Sequence, residues 1–157
     1  MRPWAGLSRL CDLPMAWWKK LFGDGDEEKV DYYREGLELL KAGQYHEALT
    51  SFRLALRESP NDSAVLQQIA IAYTRIGMTD EAMKTYRGVL ERDPTAVGAH
   101  YGLAFLLLRE GKEAEAEMHL RAFLASPPSD PEAARHVQHA RETLEWLESR
   151  ALTGGGG

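Results

Sequence analysis

Cysteine is almost absent from this sequence, since Cys11 is the single one among 157 residues. A lone cysteine cannot form an internal disulfide, which fits a reducing compartment. No apolar run reaches the roughly 18 residues that a membrane-spanning helix needs. Near the amino terminus no uncharged stretch is longer than residues 3–8, and this length is too short for the apolar segment of a signal peptide. These absences lead us to expect a cytoplasmic protein.

Residues arranged for catalysis or metal binding are also scarce. Of the five histidines, His136 and His139 are three residues apart on a predicted helix, but no cysteine or carboxylate nearby completes a metal site. We interpret this pair as solvated and His100 as a packing residue. No glycine-rich phosphate loop occurs, and no local signature marks Cys11 as a nucleophile. We therefore predict no enzymatic activity, no cofactor and no metal site.

Charge is distributed unevenly along the chain. The net charge is −5, so nothing points to nucleic acid as a partner. Residues 1–22 contain four basic residues and one acidic residue, whereas the remainder contains 15 basic and 23 acidic residues. A basic segment before an acidic body is typical of an end that faces a membrane or a partner.

The aromatic part of that segment begins at Met15, which is also an alternative start, with residues 1–14 then extraneous. Tryptophan and lysine favour the headgroup boundary, so one interpretation is a short anchor at the inner face of a membrane. The alternatives are packing on the folded body and contact with a partner. Residues 23–28 form an acidic linker. The side chains available for contact are Trp17, Trp18, Lys19, Lys20, Leu21 and Phe22.

A 34-residue period runs through the chain from residue 29. Apolar residues at helical spacing predict two helices in each period, the first ended by glycine and the second by proline. Such a period indicates an all-α array of stacked helical repeats. The recurring positions are Gly36, Leu39, Gly43, Ala48, Phe52, Ala55 and Pro60; Ala70, Tyr73, Gly77, Ala82, Tyr86, Val89 and Pro94; and Ala104, Leu107, Gly111, Ala116, Leu120, Phe123 and Pro128.

These helix–turn–helix units, with a small residue in the first helix, an early alanine in the second and a closing proline, resemble the tetratricopeptide repeat. The three copies are residues 29–62, 63–96 and 97–130, and Tyr32, Leu66 and His100 replace the usual tryptophan of the family. Residues 131–150 resemble a capping helix, and residues 151–157 are predicted to be a flexible tail. The resemblance implies a right-handed α-solenoid that acts as a protein–protein interaction module, a small adaptor or assembly scaffold.

In this family the first helices of successive repeats line a concave groove in which partners lie. Transferring the inward positions by phase gives a central apolar row, Leu37, Ile71 and Phe105, with a basic margin that includes Arg75 and Arg109. The implied partner is a peptide with apolar anchors and some acidic charge, of unknown identity. The groove residues so implied are Tyr33, Arg34, Leu37, Leu40, Gln67, Gln68, Ile71, Arg75, Tyr101, Gly102, Phe105, Leu108 and Arg109.

The first helix of the third copy is apolar almost all round, so we expect something to cover it. The candidates are an external peptide or helix, the amino-terminal segment or last helix of the chain itself, and a second copy in a homo-oligomer. Gly98 and Gly102, one turn apart, would let another backbone approach closely. One subset of the family grips the terminal carboxylate of heat-shock chaperones with lysine, asparagine and arginine. At the positions of those clamp residues this chain has other residues, including Gln68 and Gly102. The resemblance therefore implies no binding of chaperone tails.

Overall fold

The computed structural model describes residues 30–154, and these residues form seven α-helices and no strand. The prediction of an all-α fold is therefore confirmed. The predictions for residues 1–22 and 23–28 lie outside the described residues. The helices are α1 (Tyr32–Lys41), α2 (Tyr45–Glu58), α3 (Ser63–Ile76), α4 (Thr79–Arg92), α5 (Val97–Arg109), α6 (Glu113–Ala125) and α7 (Ala134–Gly154).

The helices pair in the order of the chain, each packing against the next one. Helices α1 and α3 also contact each other, as do α3 and α5. The first helices of the three repeats therefore lie side by side and present one common surface. Among residues 30–154, no helix is both long enough and apolar enough to cross a bilayer.

Glycine ends the first helix of each repeat, as the period predicts. Gly43, Gly77 and Gly111 have φ angles of 79°, 93° and 73°, the left-handed region that other residues rarely adopt. After Gly77 the chain closes the helix with a backbone bond of 2.9 Å from the Met78 N–H to the Tyr73 carbonyl. This left-handed step turns the chain toward the second helix of the repeat.

Alanines at the helix crossings allow the two helices of a repeat to approach closely. Ala48, Ala82 and Ala116 have no exposed surface. Each is followed four residues later by a buried large side chain that fills the core. In the first repeat Phe52 also occupies the space beside Gly36, where an added Cβ would lie 2.5 Å from the ring. Large neighbouring side chains thus fill the space beside the small residues of the repeat.

The last helix begins at Ala134 and ends at Gly154, so it both starts and ends a few residues later than the predicted range of 131–150. The Asp130 carboxylate accepts a bond of 2.8 Å from the Ala133 N–H, which caps the first turn. The helix continues to Gly154, so the predicted end at Arg150 is wrong. Residues 151–153 have no helix breaker, and the Thr153 hydroxyl donates to the Ser149 carbonyl at 3.1 Å within the extra turn.

Candidate functional site

A cavity of about 600 Å³ opens between the second repeat, the third repeat and the last helix. Most of its lining comes from α3 and α5, the first helices of two successive repeats, and α7 adds two histidines. Seven of the predicted groove residues are among its lining residues. The lining residues are Gln67, Ile71, Thr74, Arg75, Tyr86, Gly98, Tyr101, Gly102, Phe105, Leu106, Arg109, His136 and His139.

One wall of this cavity is aromatic and centred on Tyr101. Its ring centroid lies 4.7 Å from that of Phe105 and 4.9 Å from that of His136. The imidazole of His139 stacks on Phe105, with centroids 4.4 Å apart and an interplanar angle of 10°. Interlocked rings of this kind hold one another in place and offer a flat apolar surface to a ligand side chain.

The Tyr101 hydroxyl joins this wall to the last helix by two hydrogen bonds. Its oxygen lies 3.0 Å from His139 Nδ1 and 3.2 Å from His136 Nδ1. Burial raises the pKa of Tyr101, so the phenol stays neutral near pH 7. A neutral phenol has one proton to donate, so one histidine accepts it while the other donates to the phenolic oxygen. The helices α5 and α7 are thereby tied together across the end of the groove.

The floor of the cavity depends on the absence of a side chain at Gly102. The ring of Tyr86, from α4, occupies the space that a Cβ at this position would need. Likewise, a Cβ on Gly98 would lie 2.7 Å from the amide nitrogen of Gln67. Side chains of the same chain therefore already make the close approach that these glycines allow, and the approach of a partner backbone stays a prediction.

The margin of the cavity is basic. Arg75 and Arg109 are exposed and lie in the last turns of α3 and α5. The Arg75 guanidinium lies over the Tyr45 ring, 5.6 Å from its centroid. No carboxylate side chain is among the lining residues in the described part of the chain. The cavity thus combines an apolar wall with positive charge at its edge.

The first repeat does not contribute to this cavity. Its predicted groove residues Tyr33, Leu37 and Leu40 are half-buried and pack on the core cluster of the first repeat, while Arg34 is exposed. Tyr33, for example, turns toward the core and not toward the cavity, because its ring lies 6.1 Å from the buried ring of Phe52. Two further predicted positions, the half-buried Gln68 and Leu108, also lie outside the lining.

Sequence reasoning missed the two histidines of the last helix. Both are exposed, as their interpretation as a solvated pair predicts, but both also reach Tyr101 and one stacks on Phe105, which the sequence did not indicate. The period itself carried the signal: 34 residues after Phe105 comes His139, which extends the central row of the groove by one position. The last helix therefore covers part of the third repeat, as one of the alternatives supposed. The alternative involving the amino-terminal segment lies outside the described residues.

Comparison with known proteins gives the family of the chain. The tetratricopeptide repeat family model matches residues 39–94 and 77–138. Photosystem I assembly protein Ycf3 from Synechococcus sp. (strain WH7803) is 33% identical over 94 residues, which cover 58% of this chain and 54% of that protein. The chain thus spans about half the length of this relative.

Two solved structures show the same fold. The Yersinia enterocolitica type III secretion chaperone SycD, in complex with a peptide of the translocator YopD, has a TM-score of 0.69 and 21% identity, covering 76% of this chain and 92% of that one. The P58(IPK) TPR domain has a TM-score of 0.70 and 25% identity, covering 76% of this chain and 32% of that one. The repeat period, the paired helices and the family match lead to one conclusion: the chain belongs to the tetratricopeptide repeat family.

Proposed function

We propose that this chain is a protein–protein interaction adaptor that holds a peptide or a helix of its partner in the groove between α3, α5 and α7. The observation that carries the proposal is the open apolar cavity beside Ile71 and Phe105, both of which are only half-buried. A concave, mostly apolar site with a few polar groups at its edge is the usual form of a binding pocket. No catalytic role is proposed.

The relatives support an adaptor of this kind. SycD has the same fold and was solved with a translocator peptide, and Ycf3 is named an assembly protein. By contrast, neither relative supports the membrane attachment predicted from residues 15–22. A cytoplasmic location stays a prediction.

The direct test is capture of partners from native lysate by three forms of the full chain: wild type, Phe105→Glu and Leu37→Glu. The two substitutions lie at the same phase of the repeat, but only Phe105 lines the cavity. We expect the wild type and Leu37→Glu to retain the same protein and Phe105→Glu to lose it. A charge in the apolar wall opposes burial of an anchor side chain, and loss of a hot spot costs about 2 kcal/mol or more.

Circular dichroism of all three forms checks that the helices remain intact. If Phe105→Glu lowers helix content, Phe105→Ala replaces it, because this change removes the ring without burying a charge. Equal capture by all forms would contradict the groove assignment. Concentration-dependent mass in light scattering, abolished by Phe105→Glu, would instead assign the groove to a second copy of the chain.

A further inference from the structure

We propose that the groove selects acidic peptides: an aromatic or aliphatic anchor packs on the Phe105 wall while a neighbouring carboxylate side chain pairs with Arg109 and Arg75. This inference rests on the proposed function and adds the chemistry of the partner. Three observations carry it, namely the sign of the groove, the state of its arginines and the position of the apolar wall.

The groove has the opposite sign to the chain as a whole. The chain has a net charge of −5, whereas the lining of the cavity includes two arginines and no carboxylate within the described residues. A concave site lined by one sign of charge attracts ligands of the opposite sign and raises their association rate. An acidic peptide is repelled by most of this protein and attracted at the groove.

Three arginines on the outer surface pair with carboxylates, whereas the two arginines of the groove pair with none among the described residues. The guanidinium of Arg87 bonds Glu115 at 2.9 Å, that of Arg121 bonds Glu148 at 3.0 Å, and that of Arg150 bonds Glu113 at 2.7 Å. These three pairs lie between neighbouring helices and neutralise the charge locally.

The groove arginines have no carboxylate partner of this kind within residues 30–154. Arg75 lies over the face of Tyr45, an interaction that does not require its N–H groups as hydrogen-bond donors. No hydrogen bond or ion pair engages Arg109 in the described part of the chain. A guanidinium with free N–H groups forms paired bonds to a carboxylate, which fits an acidic side chain of the partner.

A purely structural role for these arginines makes a different prediction. Both lie in the last turn of a helix, where a cation complements the partial negative charge of the helix end. If that were their whole role, replacing them would lower stability and leave the peptide preference unchanged. Binding measurements separate the two roles.

The test is selection from a display library of random peptides of about twelve residues with blocked carboxyl ends, against the full chain at low salt. The blocked ends remove recognition of a terminal carboxylate, so any acid preference reports side chains. The chain is used in four forms: wild type, Arg75→Gln with Arg109→Gln, Arg109→Gln alone and Arg141→Gln. Arg141 is an exposed arginine of α7 that does not line the cavity and serves as the matched control.

We expect the wild type and the control to enrich peptides that combine an aromatic or aliphatic residue with aspartate or glutamate. The double variant should keep the apolar enrichment and lose the acidic one. For one enriched peptide, Arg109→Gln should weaken binding about fivefold, as expected for a partly exposed ion pair. Raising the salt from about 50 to about 300 mM should weaken the wild type more than the double variant.

The outcomes separate this inference from the proposed function. Enrichment of neutral or basic apolar peptides would overturn the acid preference and leave the adaptor role standing. Acidic enrichment that survives in the double variant would overturn the assignment to Arg75 and Arg109. No enrichment in any form would overturn both proposals.

Discussion

The second and third repeats share their buried positions and differ on the surface that faces the groove. Ala82 and Ala116 are both fully buried at their helix crossings. On the groove side the second repeat has Gln67 where the third has the ring of Tyr101. The third repeat is also covered in part by α7, through the rings of His136 and His139. The comparison teaches that the periodic residues define the fold, whereas the residues that change between copies define the chemistry of the site.

The largest expected effect tests the shared core. Replacing Ala82 or Ala116 by leucine forces a larger side chain into a helix crossing that has no free surface. Overpacking of this kind costs about 1–3 kcal/mol of unfolding free energy, and we expect similar losses at both positions because they are equivalent in the repeat. Urea denaturation of both variants measures the loss. An unchanged midpoint for either one would show that the two repeats do not share this packing.

A smaller effect tests the seam between the two repeats. Gly98 and Gly102 lie in the same helix, but Gly102 faces the buried ring of Tyr86 while Gly98 faces the amide end of Gln67. Alanine is the better helix former by about 1 kcal/mol, so Gly98→Ala should be neutral or stabilising once the flexible Gln67 moves aside. Gly102→Ala should be destabilising, because the Tyr86 ring is only 3% exposed and has little room to shift.

Thermal melts of the two variants measure this difference in sign. Their far-ultraviolet circular dichroism at low temperature is the control for helix content. A Gly102→Ala protein as stable as Gly98→Ala would mean that the ring of Tyr86 is not confined against α5.

The smallest effect is a pH dependence that belongs to the third repeat alone. His100 and His119 lie with their Nδ1 atoms 2.9 Å apart, at positions that Leu66 and Thr85 occupy in the second repeat. His100 Nε2 lies 3.0 Å from the Pro94 carbonyl, which can only accept. The neutral His100 therefore accepts at Nδ1 from the Nδ1–H of His119, and the bond requires that one of the two rings stay neutral.

Burial lowers the pKa of His119, and the nearby His100 and Arg87 act in the same direction while Glu115 opposes them. Since the unfolded chain then binds more protons than the folded one below the usual histidine pKa, stability should fall as the pH drops through that value. We expect the urea midpoint to fall between about pH 7.5 and about pH 5.5 in the wild type, and to fall less in His119→Asn, whose amide can replace Nδ1 but does not titrate. Equal slopes would show that this pair does not contribute.

Much of the fold could be predicted from the sequence because its determinants are local and repeated. A glycine at the repeat position of Gly77 ends the first helix through its own left-handed backbone conformation. A proline then stops the second helix without help from distant residues. The row through Ile71 and Phe105 could be assigned to the groove because the family resemblance gives the inward positions and the period transfers them from one copy to the next, since residues at equivalent positions of stacked repeats point the same way.

The remainder depends on contacts between residues far apart in the chain, which periodicity does not show. The spacing of His136 and His139 indicates a shared helix face but does not show that Tyr101 lies across from it. In the same way, a glycine inside a helix indicates a close approach without naming what approaches, and at Gly102 the neighbour is Tyr86 of the same chain. The end of the last helix was predicted too early because residues 151–153 neither break a helix nor mark where it ends.

Photo-crosslinking of a selected acidic peptide tests the central claim most directly. The peptide has a photoreactive anchor side chain, it is irradiated with the unmodified full chain, and the attachment points are mapped by mass spectrometry. The account predicts attachment to the walls of the cavity, at or beside Ile71, Phe105 and His139. Attachment confined to α1, or to the outer faces of α2, α4 and α6, would contradict it.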